Sequence, residues 1–169
     1  NDAIATGDPR IFLRFATVDD VGLVLDLIRQ RAASEKKAHE VAADENLLRQ
    51  TRFGELRVAE VVIAVYESEP AGFALFVHNF STFLGRPGIQ LEDLFVIPDF
   101  RGRGIGRLLI TFLARLAVER GCGTLQWSVM DWNEPAIRFF ERLGAQPMDE
   151  WTVFRLTGTA LGDLASQLP

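Results

Sequence analysis

The chain has 169 residues, 48% of them hydrophobic and 24% charged, an ordinary balance for one soluble globular domain with room for a sizeable core. No apolar run approaches the roughly 20 residues needed to cross a bilayer, and a net charge of −5 argues against broad nucleic-acid binding, which needs a spread of positive charge. A single cysteine, Cys122, leaves no internal disulfide and suits a reducing compartment.

The stretch from Ile11 to Ala16, "IFLRFA", alternates and reads as a first strand. Thr17, with Asp19 and Asp20 behind it, is a fair helix start, and Val21, Val24, Leu25 and Ile28 then recur at helical spacing as far as "RAASEKK". The polar segment Glu35 to Arg52 is expected to hold a second short helix around Glu45 to Thr51. Two β-rich runs, "RVAEVVIAVYE" and "AGFALFVHNF", are separated by "SEPAG", punctuation typical of a hairpin. A third run, "IQLEDLFVI", is stopped by Pro98.

Next comes the clearest element, a helix with Ile105, Leu108, Leu109, Phe112, Leu113 and Leu116 on one stripe and Gly121 at its end. "TLQWSVM" reads as a strand. "NEPAIRFFERLG" reads as a helix, with Asn133 as its cap, Pro135 in the tolerant first turn and Gly144 as its stop. "EWTVFRL" reads as a closing strand, and "GTALGDLASQLP" is weakly patterned. The order predicts a mixed α/β fold, with helices returning onto a central twisted sheet and no linker long enough to divide the chain.

The start "NDAIATGDPR" lacks the basic head and apolar centre of a signal peptide, so a cytoplasmic protein with a small-molecule or peptide partner is expected, without membrane or nucleic acid. Two histidines and one cysteine make no metal site expected. His39 and His78 sit in no motif and read as bystanders, and nothing marks Cys122 as a nucleophile.

The turn "PDFRGRGIG" before the long helix carries the strongest chemical signal. Backbone N–H groups at a helix start point outward unpaired, the helix dipole favours an anion there, and glycine lets the backbone approach closely. The turn lacks the Lys-Ser/Thr ending of a P-loop and does not match G-x-G-x-x-G, but it matches R-x-x-G-x-G from Arg101 through Gly104 to Gly106. Taken alone, a mere structural turn would also fit.

The run "LEDLFVIPDFRGRGIGRLL", followed by "WNEPAIRFFERLGA", resembles the GNAT superfamily of acetyl-CoA-dependent N-acetyltransferases, and most of all its diamine (spermidine/spermine) branch and bacterial relatives. The resemblance covers about Ile11 to Leu156 and is dense from Leu91 to Ala145. It implies one GNAT domain over residues 1–169: a central twisted mixed sheet, bulged in its fourth strand and flanked by helices. It implies a homodimer, and acetyl-CoA as cosubstrate. The pyrophosphate would lie on Arg101, Gly102, Arg103, Gly104, Ile105, Gly106 and Arg107, and the pantetheine arm along Leu94, Phe95 and Val96. Asn133 would meet the same arm. Phe140 stands where relatives carry a tyrosine that reaches the sulfur. A phenyl ring donates no proton, so Phe139 and Phe140 read as packing with Ile137 and Leu143, and Tyr66 does not match the missing position.

Acetyl transfer to an amine asks for loss of the amine's proton and for donors to the developing oxyanion. Glu92 matches the family carboxylate that takes that proton; without the resemblance it reads as an exposed strand carboxylate. By strand alternation Asp93 joins Leu91 and Phe95, while Glu92 joins Gln90. Glu35 aligns with an acceptor-site carboxylate, and with Glu92 and Asp93 it is expected to bind the substrate amine. Ser81 and Phe83 replace an acid and a tryptophan, and Lys36, Lys37 and Arg86 would repel a polycation, so a smaller amine or a lysine-like amino acid fits at least as well as spermidine. Gln126 and Ser128 are candidates for orienting the acceptor, or else solvent-facing alternation; Trp127 and Trp132 read as packing residues. A peptide or protein amine is the rival acceptor. A non-catalytic acyl-CoA sensor is the rival class, favoured by the missing tyrosine.

Overall fold

A computed structural model describes residues 2–53 and 58–168. They form two compact units, the first ending at Ser128 and the second starting at Val129.

The first unit is built on a six-stranded sheet in the order β1 (Ile4–Ala5), β2 (Ile11–Phe15), β3 (Glu60–Tyr66), β4 (Glu69–Ser81), β5 (Arg86–Val96), β6 (Thr124–Trp127). Every pair is antiparallel except β5 and β6, which are parallel and are joined through helix α3 (Ile105–Glu119). A parallel neighbour needs such a crossover, so the mixed sheet follows from the late helix in the sequence. The short β1 escapes the periodicity argument, and it makes the expected fourth strand β5.

Helices α1 (Val21–Ser34) and α2 (Glu45–Phe53) lie where the spacing predicts them. Val61, Ile63 and Val65 of β3 share a core with Val24 and Leu27 of α1, Phe73 of β4 and Phe95 of β5. The alternating residues Val62, Ala64 and Tyr66 are buried as well. A strand is buried at every position only when both faces are covered, and α3 covers the second with Ile105, Leu109 and Leu113. Of the stripe read on α3, Leu108 and Phe112 are half-buried, and Ile110 and Ala117 join the core instead.

Arg14 of β2 grips Asp20 with both terminal nitrogens, at 2.7 and 2.8 Å, and Asp20 also accepts the N–H of Thr17 at 2.8 Å. The hydrogen bond from Arg14 is the main reason the Asp20 carboxyl is held down at about 2, so this link between β2 and the start of α1 persists until strong acid.

The β3–β4 hairpin turns at Glu67 and Ser68, at the leading edge of "SEPAG" rather than at its proline and glycine. Their φ values of 46° and 75° are the left-handed pair that a two-residue loop demands, and Gly72 is left inside β4. Arg57, the first residue of the predicted β3 run, lies outside the described residues.

In the second unit α4 (Glu134–Arg142) is capped by Asn133, whose Oδ1 accepts from the N–H of Ala136 at 3.4 Å, and it is closed by Gly144 at φ 90°. A further helix, α5 (Gly158–Ala165), forms from the weakly patterned tail, whose last residue, Pro169, lies outside the described residues. Four sequence readings are corrected. β6 stops at Trp127 instead of running through Met130, and residues 150–156 form no strand. A β-rich pattern becomes a strand only beside another strand that takes its N–H and C=O groups, and among the described residues 150–156 have none. Phe139 and Phe140 meet at 5.5 Å between ring centroids but are only half-buried, and Trp132 is exposed, because so small a unit encloses little volume. Among the described residues no helix is long and apolar enough to cross a membrane.

Candidate active site

After β5 the chain makes one 3₁₀ turn over Pro98–Phe100 and passes through Gly102 (φ 77°) and Gly104 (φ 78°) into α3, with Gly104 as its cap. Both glycines occupy the left-handed region that a Cβ disfavours. The N–H of Arg101 is taken by Pro98 O, and the next one to find an acceptor is that of Leu108, on Gly104 O at 3.0 Å. Between them the N–H groups of Gly102, Arg103, Gly104, Ile105, Gly106 and Arg107 meet no acceptor among the described residues. Six successive main-chain donors at the positive end of a fifteen-residue helix make a cradle for an anion with several oxygens.

Two of the arginines around the cradle, Arg101 and Arg103, are folded onto the protein. Arg101 Nε donates to Val96 O at 3.0 Å, and its guanidinium lies 5.6 Å from the Phe95 ring centroid. The Arg103 guanidinium lies 4.5 Å over the ring of Tyr66, so that buried tyrosine supports the turn. Sequence reading placed Tyr66 only by what it fails to match; no local signal joins it to a turn so far along the chain. Arg107 is exposed on the first turn of α3.

The strand that leads into the cradle is irregular at one residue. In the β4–β5 ladder Leu75 pairs with Asp93 and Phe76 with Leu91, so Glu92 is the extra residue of a bulge. The same point ends the pairing with β6: Gly88 to Leu91 match Thr124 to Trp127, and residues 92–96 have no ladder partner on that side among the described residues. Leu94, Phe95 and Val96 still pair with Ala74, Phe73 and Gly72 of β4, which leaves their β6-side backbone edge open. A sheet that separates here offers an extended ligand a strand-like seat beside an exposed carboxylate, Glu92.

Residues 25–145, which hold both the bulge and the cradle, match the acetyltransferase (GNAT) family. The chain belongs to that family. A thialysine N-epsilon-acetyltransferase of Mus musculus is 37% identical over 166 residues, 92% of this chain and 97% of the relative. An L-ornithine N5-acetyltransferase of Arabidopsis thaliana is 32% identical, across 88% of this chain and 85% of its own length. Among solved structures, an integron cassette protein from the mobile metagenome of V. cholerae has a TM-score of 0.77 at 25% identity, covering 94% of this chain and 99% of that one. A soil-metagenome aminoglycoside acetyltransferase shares the fold, with a TM-score of 0.74 at 19% identity over 89% of this chain and 97% of its own.

In this GNAT acetyltransferase the acidic residues collect around a cation that sequence reading missed. Arg31, in the last turn of α1, lies 2.7 Å from Asp93 Oδ1 and 3.2 Å from Glu35 Oε1. The available signal was the i,i+4 spacing of Arg31 and Glu35. Burial pushes the Asp93 carboxyl above its ordinary range; Arg31 pulls it back, while Glu92 and Glu35 add to the upward push. Glu35, Glu92 and Asp93 are thereby brought into one electrostatic cluster.

The remaining candidates lie on other elements. Gln126 donates to Gln90 Oε1 at 2.7 Å across the β5–β6 ladder, and Ser128 is exposed just past β6. Asn133 and Phe140 belong to the second unit, as the cap of α4 and a half-buried ring within it. His78 lies 3.2 Å from Arg120 and 3.8 Å from Glu60, a partnered surface residue, and His39 is exposed.

Proposed function

We propose that this acetyltransferase moves the acetyl group of acetyl-CoA onto a primary amine of a small molecule, a diamine, polyamine or lysine-like amino acid, by direct attack on the thioester. The observation that carries this reading is the row of six N–H groups from Gly102 to Arg107 that find no acceptor among the described residues, set directly after a bulged strand with an open edge. Acetyl-CoA supplies a diphosphate for that row and an activated acyl group. Leu94, Phe95 and Val96 hold its extended arm by their backbone, with Arg101 swinging away from Val96 O to admit it. Asn133 and Phe140 keep the cofactor-arm role that the family resemblance gives them. The family match crosses from the first unit into the second, which supports reading residues 1–169 as one acyltransferase domain.

An alkylamine is protonated at neutral pH, with a pKa of about 10.4, and an ammonium has no lone pair for attack. Glu92 is the base that takes its proton. The main-chain N–H groups of the bulge polarise the acetyl carbonyl. Phe140 offers the departing thiolate no proton; a thiol pKa of about 8.5 makes it a tolerable leaving group without one. The negative charge of Glu35, Glu92 and Asp93 attracts a cationic acceptor, with Gln126 and Ser128 as polar contacts at its rim. Two of the relatives are named for thialysine and L-ornithine, both α-amino acids with a side-chain amine, which favours a small acceptor over a protein. The free thiol of Cys122 fits a cytoplasmic setting.

The test is thiol release from acetyl-CoA with a panel of diamines, polyamines and diamino acids. Release that depends on the amine is expected. Tight coenzyme A binding with no such release would replace the enzyme by an acyl-CoA sensor.

We also infer a homodimer. Trp151, Val153 and Phe154 are 65%, 87% and 92% exposed in a segment with a strand's composition and, among the described residues, no strand to pair with. So much exposed apolar surface marks an interface, and a second copy of the chain offers the open edge of β6 as a partner. Sedimentation at twice the monomer mass is expected, falling to the monomer mass for Phe154→Asp; a wild-type monomer at micromolar concentration would remove the dimer.

A further inference from the structure

Arg31 is the member of the acidic cluster to which the acetyl-transfer reading gives no task. Its guanidinium sits between Asp93 and Glu35, at 2.7 and 3.2 Å, one residue along the strand from Glu92. The side chain keeps 25% of its surface exposed and Asp93 keeps 20%, so the pair is open on one side. For a simple diamine this cation is a liability. Such an acceptor is recognised by carboxylates alone, and a fixed positive charge among them repels it. For an acceptor that carries a carboxylate, the same arrangement is complementary. A guanidinium has five N–H donors in a planar fork, more than two ion pairs consume, and it is suited to carboxylate oxygens. Flanking acids would hold the acceptor's ammonium groups while Arg31 holds its carboxylate.

We propose that Arg31 is a specificity residue that selects acceptors bearing an α-carboxylate, amino acids with a side-chain amine, over amines of equal length that lack it. The inference rests on the amine-acetylation reading above. Three carboxylates without Arg31 would make a site for a polycation; with it the site matches a zwitterionic head beside a cationic tail.

The test compares kcat/KM for L-ornithine against 1,4-diaminobutane, and for L-lysine against 1,5-diaminopentane and lysinamide, in the wild-type protein. A preference for the free amino acid of about tenfold or more is expected, the scale of one hydrogen bond to a charged group. In Arg31→Gln that preference should collapse, mainly through a rise in KM for the amino acids, and Arg31→Lys should restore part of it. The lysinamide comparison needs no variant, so it stands even where Arg31→Gln fails to fold. Equal rates for lysine and lysinamide, or equal losses for amino acids and diamines in Arg31→Gln, would overturn the selective role and leave Arg31 as a tie between α1 and β5. If no amine of any kind releases thiol, the acetylation reading itself falls, a result distinct from either.

Discussion

Glu92→Gln is expected to lower kcat/KM for the amine by roughly a hundredfold to ten-thousandfold at neutral pH, the span covered by loss of a positioned general base. Glutamine keeps the size of the side chain, and the bulge that presents it belongs to the backbone register, so fold and coenzyme A affinity should be retained. The deficit should shrink as pH rises toward the amine's own pKa of about 10.4, because a growing fraction of acceptor then arrives already deprotonated. pH–rate profiles followed by thiol release, wild type against variant, make the comparison. Two profiles that run parallel across the whole range would remove Glu92 as the base and leave it an exposed strand carboxylate.

Gly72→Ala is expected to cost about 3 kcal/mol or more of stability, the upper part of the range for overpacking a tight core. A Cβ at this position would stand 2.5 Å from Phe95 O and 3.2 Å from Val96 Cα, both of them backbone atoms of β5 that no rotamer change can move. The strain falls where β4 supports the open edge of β5, so activity should suffer along with stability. For a chain of this size the loss corresponds to a fall in Tm of roughly 10 °C, read by thermal unfolding. Gly106→Ala is the matched control: its Cβ would meet only Val96 Cγ2, at 3.7 Å, and Tm should hold. A Gly72→Ala protein that melts with the wild type would mean that β4 and β5 lie less closely than described.

Most of the fold is legible in the sequence because its elements announce themselves by period. The apolar repeat of α1 and α3 and the dense runs of β3, β4 and β5 need no tertiary information. What escapes depends on partners. β1 is two residues that exist as a strand only by pairing with Leu13 and Phe12, and residues 150–156 have the composition of a strand without a neighbour among the described residues. The hairpin at Glu67 and Ser68 is set by the ladder register, against the pull of the proline and glycine nearby.

The site divides in the same way. The cradle can be read from R-x-x-G-x-G, since glycine spacing encodes a backbone path directly. The bulge cannot: strict alternation through "LEDL" hides the extra residue, and only the resemblance pointed to it. The pairing of Arg31 with Asp93 joins residues far apart in the chain and leaves no local trace beyond the nearby Glu35.

The cradle's donors are main-chain groups, and every amino acid except proline carries the same one. If the cradle holds a diphosphate as proposed, changes at Arg103 or Arg107 leave that grip largely intact as long as the loop keeps its course. On the proposed reading the acceptor side is made of side chains, Arg31, Glu35, Glu92 and Asp93, which single codon changes can exchange. On that proposed division of the site, a lineage with this architecture can drift from one amine to another while its hold on the acyl donor stays constant.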